Sequence, residues 1–320
     1  MLGLVAFIIV GMILLIKGAD FLVEGASNIA KKFHIPEIII GLTIVSIGTS
    51  MPELFVSITS ALEGYSDMAI GNVVGSNIAN LMLILGISSL IRPIRFRRQT
   101  MFIEIPICIV TTLIFWIIGT INSDITRGEG IFLLVLFIMF IIYTIIMSGK
   151  GDKFNKEKEE DCEDSKIENK LATLIDLLAI GVGILALKFG GDLVVNNAVA
   201  IAEIFKWSEK LISITILAIG TSLPELVTSV SAAFKGKSDI ALGNVIGSNI
   251  FNILLIIAVS AIIKPMTYNP SYNMDMIFLT IGSILLFIFP MIRPKCRISK
   301  GNAVLFILLY GIYITFSFFR

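Results

Sequence analysis

Long apolar stretches alternate with short polar ones along almost the whole chain. Each apolar stretch runs for about 18 residues or more, enough for an α-helix to cross a bilayer core of about 30 Å. The pattern predicts ten membrane-spanning helices, near 2–23, 38–60, 68–90, 100–121, 129–148, 171–195, 210–234, 239–263, 274–291 and 301–319. No stretch is left for a soluble domain, so we expect an all-α polytopic membrane protein surrounded by the lipid bilayer.

The ten predicted helices contain one sequence pattern twice. The block GTSMPE at 48–53 recurs as GTSLPE at 220–225, and GNVVGSNIAN at 71–80 recurs as GNVIGSNIFN at 243–252. The offset is 172 residues for both blocks, and about half of the surrounding positions are identical. A repeat of this length indicates a duplicated half-protein and is too large for a solenoid unit.

Each copy contains five predicted helices, and this odd number fixes how the halves are oriented. The second copy must enter the membrane upside down relative to the first, as in many transporters built from inverted-topology repeats. We therefore predict two five-helix repeats, at 1–148 and 171–320. Residues 149–170 contain six lysines and eight acids, a composition typical of a solvated linker.

Lysine and arginine are concentrated in the loops on one predicted side of the membrane. Those loops hold Lys31, Lys32, Arg92, Arg95, Arg97, Arg98, Lys235, Lys237, Arg293, Lys295, Arg297 and Lys300, together with the lysines of the linker. The opposite loops and the termini hold Arg127, Lys206, Lys210, Lys264 and Arg320. The positive-inside rule therefore predicts a multi-pass protein of the cell membrane, with linker 149–170 cytoplasmic and both termini extracellular.

Composition agrees with this interpretation and disfavours several kinds of function. Hydrophobic residues make up 56% of the chain and charged residues 15%, below the roughly one quarter usual in soluble proteins. His34 is the single histidine of the sequence, and its three cysteines lack the spacing of a metal site. We expect no enzyme activity, no resident cofactor, no nucleic-acid partner and no obligatory protein partner.

One carboxylate in each repeat lies deep within an apolar segment, where a charge is costly and usually functional. In the first repeat this is Glu53, next to Pro52, whose missing N–H and bulky ring should break the helix near Gly48. A break frees backbone carbonyl oxygens, which need partners in lipid. Hydroxyl groups adjoin the break, so the candidate ligands are Thr49, Ser50 and Glu53 with their repeats Thr221, Ser222 and Glu225.

The third helix of each repeat supplies a second polar surface. Polar residues spaced by four share one helical face, and here they are Asn72, Ser76 and Asn80, repeated as Asn244, Ser248 and Asn252. Neutral oxygens that face a buried glutamate suit a cation site, which favours Ser76, Asn80, Ser248 and Asn252 as ligands. Helix packing would explain Asn72 and Asn244 as well as ion binding would.

These ligand types narrow the choice of ion. Carboxylate, hydroxyl, amide and carbonyl oxygens suit hard cations such as Na⁺ or Ca²⁺ rather than zinc or copper. Two facing glutamates carry a charge of −2, which one Ca²⁺ or two Na⁺ would neutralise. Without a cation, their repulsion should make one or both bind a proton. A site that must hold Ca²⁺, Na⁺ or H⁺ is typical of an exchanger. A passive channel is disfavoured because no filter-like ring is evident, and an intramembrane enzyme because no nucleophile–base pair is evident.

The paired GTSxPE and GNxxGSNIxN blocks resemble the two alpha-repeats of the cation/Ca²⁺ antiporter superfamily, and within it those of prokaryotic sodium/calcium exchangers. The resemblance covers all ten predicted helices. It implies a fold in which helices 2, 3, 7 and 8 form a core and helices 1 and 6 slide across it. It also implies electrogenic exchange of Na⁺ for Ca²⁺ by alternating access; the alternative is proton-coupled antiport of Ca²⁺ or another divalent cation.

The same resemblance implies individual ligands. The family's acidic ligands match Glu53 and Glu225, and its backbone carbonyl donors fall at Ser46 and Ala218. Its hydroxyl and amide ligands match Thr49, Ser50, Ser76, Asn80, Thr221, Ser222 and Ser248. One position departs from the pattern, because exchangers often have aspartate where this chain has Asn252. The predicted site is therefore more symmetric and has one negative charge fewer.

Overall fold

The computed structural model describes residues 2–150, 166–205, 220–292 and 297–319. This part of the chain is largely helical, since helices satisfy backbone groups internally and lipid offers them no partners. In chain order the helices are α1 (Leu2–Lys32), α2a (Glu37–Thr49), α2b (Met51–Glu63), α3 (Ser66–Ile91), α4 (Thr100–Ile121), α5 (Arg127–Lys150), α6 (Lys166–Ile204), α7 (Leu223–Phe234), α8 (Ser238–Ile263), α9 (Tyr272–Ile292) and α10 (Lys300–Phe319). Strands β1 (Asp124–Ile125) and β2 (Met266–Thr267) form a short antiparallel ribbon.

The helices agree with the predicted membrane spans. Eight described helices are long and apolar enough to cross a membrane, and α2a and α2b together form a ninth span that bends by 49°. Of the seventh predicted span, 210–234, the stretch 210–219 lies outside the described residues, and α7 forms most of the remainder. An all-α polytopic membrane protein is thus confirmed. The largest departures from the predicted bounds are α1 and α6, which continue into charged residues that the apolar pattern ignores.

Two equivalent turns at opposite ends of α3 show that the halves are inverted. Gly64 and Gly236 adopt positive φ angles of 92° and 77° where the helices before them end. A Cβ atom at Gly64 would lie 2.9 Å from Lys264 Nζ, and one at Gly236 would lie 2.5 Å from Arg92 Nη1. Gly64 corresponds to Gly236 at the offset of 172, and Arg92 corresponds to Lys264, so the two contacts are equivalent in the two repeats. Gly64 precedes α3 and Arg92 follows it, so the two contacts are on opposite sides of the protein.

The loops rich in lysine and arginine meet on one side, which we call the basic side and define by Arg92, Arg97, Lys235 and Lys237. Arg97 Nη2 lies 2.6 Å from Asp239 Oδ2 at the start of α8. The β1–β2 ribbon lies at the other end of the helices. The described basic loops of the predicted group therefore lie together, whereas Arg293, Lys295 and most of the linker lie outside the described residues.

Helices α3 and α8 occupy the centre of the molecule. In their most apolar 18-residue windows, 72% and 78% of the residues are buried, against 39% or less in the other single-helix spans. Helices α1 and α6 pack against each other at glycines, where a Cβ atom on Gly11 would lie 2.8 Å from the Gly190 carbonyl oxygen. Gly18 and Gly183 repeat this close approach. The polar site is consequently built around two central helices and bordered by a tightly packed pair.

Candidate cation-binding site

The two buried glutamates begin helices that follow a break in the chain. Ser50 (φ −85°, ψ 8°) interrupts the span between α2a and α2b, and Ser222 (φ −89°, ψ 8°) precedes α7 with nearly the same backbone conformation. Pro52 and Pro224 occupy the first turn of the helix that follows, where a missing N–H costs little. The break predicted from Pro52 is confirmed, and it places each glutamate in a helical first turn.

Serines at the breaks cross between the repeats to reach the opposite glutamate. The Ser50 hydroxyl donates to Glu225 Oε1 at 2.7 Å, and the Ser222 hydroxyl donates to Glu53 Oε1 at 3.5 Å. Ser76 of α3 also donates to Glu53 Oε1, at 3.4 Å. Glu53 is fully buried and Glu225 is 1% exposed. The two carboxylates therefore belong to one site on the interface between the repeats.

The amide ligands lie on π-helical turns of the central helices. Asn80 falls within the turn Ala79–Ile84 of α3, and Asn252 begins the turn Asn252–Ile257 of α8. Such turns interrupt α-helices mainly at functional sites, because one wider turn re-aims the side chains along it. Both asparagines are buried, as are Ser76 and Ser248. The second predicted polar surface is thus present in both halves.

Five buried oxygen atoms from predicted ligands have no hydrogen-bond partner among the residues that the structure describes. They are Glu53 Oε2, Glu225 Oε2, Asn80 Oδ1, Asn252 Oδ1 and Ser248 Oγ. A buried polar atom without a partner is costly, so each of these requires an explanation. Bound cations would give these oxygens partners, because carboxylate, amide and hydroxyl oxygens are ligands that Na⁺ and Ca²⁺ accept.

The charge of the two glutamates also supports a cation site. Among the described residues, every ion pair lies outside the site, so neither Glu53 nor Glu225 has a cationic side chain to balance it. A buried charge without a partner is strongly destabilising. The same part of the chain contains no cluster of three or more His, Cys, Asp or Glu residues. Neutral hydroxyl and amide groups therefore supply the rest of the candidate ligand shell.

The other predicted ligands have less uniform surroundings. Thr49 is buried and its hydroxyl lies 3.0 Å from Asn244 Oδ1, whereas Thr221 is only half-buried. The Ser46 carbonyl oxygen is not freed by the break, because it accepts the Ser50 N–H at 3.0 Å. Its second lone pair points to the Thr49 hydroxyl at 3.3 Å. Ala218, the second predicted carbonyl donor, lies outside the described residues.

Asn72 and Asn244 form hydrogen bonds to the helices that carry the two glutamates. Asn72 Nδ2 donates to the Glu53 carbonyl oxygen at 3.3 Å and to Ser57 Oγ at 3.0 Å. Asn244 Nδ2 repeats this with the Glu225 carbonyl oxygen at 3.4 Å and Ser229 Oγ at 2.9 Å. These contacts favour the packing interpretation, since both amides hold the helices that carry the acids.

Sequence reasoning missed Asn77 and Asn249. Each lies in the repeated GSN triplet, one residue after a predicted serine ligand, but the four-residue spacing does not include it. In the structure the two asparagines contact each other's backbone across the repeat interface and also contact Asn80 and Asn252. Their recurrence in both copies was the signal that could have found them.

Inverted halves with a buried, oxygen-lined candidate site between them are typical of secondary transporters. Comparison with known proteins makes the assignment specific. The chain belongs to the sodium/calcium exchanger protein family, whose pattern matches residues 3–146 and 175–319. It is a transporter and not an enzyme, and each matched segment covers one of the two repeats.

Relatives of the full chain support this membership. The inner membrane protein YrbG of Escherichia coli is 36% identical over 295 residues, covering 89% of this chain and 88% of YrbG. The putative antiporter CaxA of Alkalimonas amylolytica is 41% identical over 268 residues, covering 83% and 82%. A solved structure of the sodium–calcium exchanger NCX_Mj, soaked with Na⁺ and no Ca²⁺, matches with a TM-score of 0.85 at 32% identity and covers 98% of this chain and 99% of that chain.

Proposed function

We infer that this protein exchanges Na⁺ for Ca²⁺ across the cell membrane. The observation that carries the proposal is the group of five buried oxygens that have no partner among the described residues, two of them on carboxylates that form no ion pair within the same part of the chain. Their charge of −2 is balanced by one Ca²⁺ or by two Na⁺. Because either load neutralises the same ligands, the two ions would compete for one site, as coupled exchange requires.

Alternating access would follow from the two halves. Inverted repeats permit two arrangements in which the same central site opens to opposite sides. The paired helices α1 and α6 border the site from outside the core and pack on each other through glycines, which suits them to move as one body. The members of the proposed ligand shell are Glu53, Glu225, Asn80, Asn252, Ser76, Ser248, Ser50, Ser222, Thr49 and Thr221, with the carbonyl oxygen of Ala218. The Ser46 carbonyl oxygen is left out because it already accepts two hydrogen bonds.

Uptake of ⁴⁵Ca²⁺ into proteoliposomes tests the proposal. Vesicles loaded with Na⁺ and diluted into Na⁺-free medium should accumulate Ca²⁺, whereas vesicles loaded with choline should not. Accumulation driven equally well by an outward H⁺ gradient in Na⁺-free conditions would overturn Na⁺ coupling in favour of proton coupling. Accumulation without any counter-ion gradient would overturn exchange in favour of a channel.

We also propose that the basic side is cytoplasmic, so that both termini are extracellular and the linker 149–170 is inside. The concentration of lysine and arginine on that side supports this orientation. Cys162 of the linker lies outside the described residues, but it serves as a reporter once Cys108 and Cys296 are replaced by serine. A membrane-impermeant thiol reagent should label Cys162 in inside-out vesicles and not in intact cells; the reverse pattern would overturn the orientation.

A further inference from the structure

We propose that Asn77 and Asn249 are positioning residues that fix the orientation of the two amide ligands, Asn252 and Asn80. The proposal rests on the ion site described above. Asn252 Nδ2 donates to Asn77 Oδ1 at 2.9 Å, and Asn80 Nδ2 donates to Asn249 Oδ1 at 3.1 Å. Each positioning residue belongs to the repeat opposite the ligand it holds. The four residues form a reciprocal network across the interface, and all four are buried.

The orientation of each amide follows from the order of donors and acceptors. Asn77 Nδ2 lies 3.2 Å from the backbone carbonyl oxygen of Asn249, which can only accept a hydrogen bond. The other terminal atom of Asn77 must therefore be its oxygen, and the group 2.9 Å away on Asn252 must be the NH₂. The oxygen of Asn252 is then turned away from Asn77 and buried, and no described residue forms a hydrogen bond with it.

The second half of the network repeats this argument. Asn249 Nδ2 donates to the Asn77 backbone carbonyl oxygen at 3.3 Å, which leaves Asn249 Oδ1 to accept the NH₂ of Asn80. Asn80 Oδ1 is again buried and has no hydrogen-bond partner within the described ranges. The backbone carbonyl groups of Asn77 and Asn249 thus orient the side-chain amides of Asn249 and Asn77. Those amides in turn bind the NH₂ groups of Asn80 and Asn252, so that the oxygens of Asn80 and Asn252 face the site.

This arrangement matters because an amide has two unlike ends. An oxygen can coordinate a cation, whereas an NH₂ group in the same position repels it. Without Asn77, the Asn252 amide could flip and present its NH₂ to the site for part of the time. Only molecules with the Asn252 oxygen facing the site would bind the ion well. If about one tenth of the molecules have this orientation, the apparent affinity is about tenfold weaker.

A double-mutant cycle tests the positioning role. Asn77→Leu, which is similar in size but forms no hydrogen bond, should raise the KM for Ca²⁺ about five- to tenfold with little change in maximal rate. In an Asn252→Ala background, where no amide remains to be held, Asn77→Leu should have almost no further effect on KM. In an Asn80→Ala background its effect should persist. Asn249→Leu should show the converse pattern: its effect on KM should disappear in the Asn80→Ala background and persist in the Asn252→Ala background.

The crossed pattern separates positioning from helix packing. If Asn77 only holds α3 to α8, its effect on KM will be the same in both backgrounds, and that result would overturn the proposal. Ca²⁺-dependent thermal stabilisation of the purified protein gives the same cycle without transport, so it remains informative if Na⁺ coupling is not found. If Asn77→Leu does not fold, Asn77→Ser, whose shorter side chain loses the contact to Asn252, takes its place in the cycle.

Discussion

The two repeats are alike at the centre of the molecule and unlike where α1 and α6 meet the core. On the basic side, Lys235 at the end of α7 lies 2.8 Å from both Asp20 Oδ1 and Glu24 Oε1 of α1. Ser231 of α7 adds a hydrogen bond to Asp20 Oδ1 at 2.9 Å. At the offset of 172, Asp20 corresponds to Asp192 of α6 and Lys235 corresponds to Glu63 of α2b. The equivalent pair on the other side is therefore acid against acid.

The contacts follow this difference in charge. Among the described residues, no ion pair joins α6 to α2b, and both Asp192 and Glu63 are exposed. Lys188 of α6 instead lies 5.4 Å from the centre of the Phe55 ring. Duplication has thus kept the proposed ligands the same in residue type and made the outer contacts unequal. In an alternating-access cycle, equal ligands allow one site to serve both sides, while unequal outer contacts make the two open states differ in free energy.

The largest expected effect is the loss of Ca²⁺ uptake when either glutamate is replaced, and it tests whether the two repeats contribute equally to the site. Glu53→Gln and Glu225→Gln should each lower Ca²⁺ uptake by about a hundredfold or more, since glutamine keeps hydrogen bonds but loses the charge that balances the ion. Losses of similar size are expected because both acids are buried and neither forms an ion pair within the described part of the chain. The measurement is initial ⁴⁵Ca²⁺ uptake by folded, reconstituted protein. Near-normal uptake by either variant would remove that glutamate from the ligand shell.

A smaller effect should follow from breaking the symmetry of the amides. Asn252→Asp raises the charge of the site to −3, so one additional monovalent ion is needed to neutralise it. The dependence of Ca²⁺ uptake on internal Na⁺ should then become steeper. Initial uptake is measured against internal Na⁺ concentration, with Asn244→Asp, which adds an acid behind the site, as the control. Superimposable Na⁺ curves for wild type and Asn252→Asp would show that residue 252 does not set the ion count.

Much of this centre could be predicted from sequence, and the reason is physical. Spans, glutamates and helix breaks leave local signals: an apolar run, a charge inside it, or a proline beside it. The Asn77–Asn252 contact and the Lys235–Asp20 contact join residues about 175 and 215 positions apart, and such pairings depend on how helices pack. The inverted repeat could be inferred because an odd helix count fixes topology, whereas the asymmetric contacts on α1 required the structure.

Removing the ion pairs between Lys235 and α1 should change the rate of thiol labelling on the basic side by about two- to fivefold. Lys235→Glu replaces attraction by repulsion and should destabilise the state seen here. Burial alone would lower the pKa of Lys235, but hydrogen bonds and charge from Asp20 and Glu24 raise it above its usual 10.5. The stabilisation from Lys235 is thus present at neutral pH and lost only as pH rises through that elevated pKa.

Thiol labelling measures this change directly. A cysteine replacing Ser231, between α7 and α1, should react faster from the basic side when Lys235→Glu is added. Arg97→Glu is the matched control, since it breaks the exposed ion pair to Asp239 without touching α1. Equal labelling rates for Lys235→Glu and the control would mean that the ion pairs on α1 do not limit access to residue 231.

The smallest expected effect comes from installing the missing cation on the other side. Glu63→Lys would place a lysine where it can meet Asp192 when α6 approaches α2b, and an exposed pair of this kind is worth about 0.2–1 kcal/mol. The state opposite to the one described here should gain population, so the Ser231→Cys thiol should react up to about fivefold faster. Adding Asp192→Asn should cancel the gain, because the new lysine then has no acid to meet. If Asp192→Asn leaves the faster labelling unchanged, Glu63→Lys acts through some other contact. The acid-against-acid pair would then not be what distinguishes the two sides.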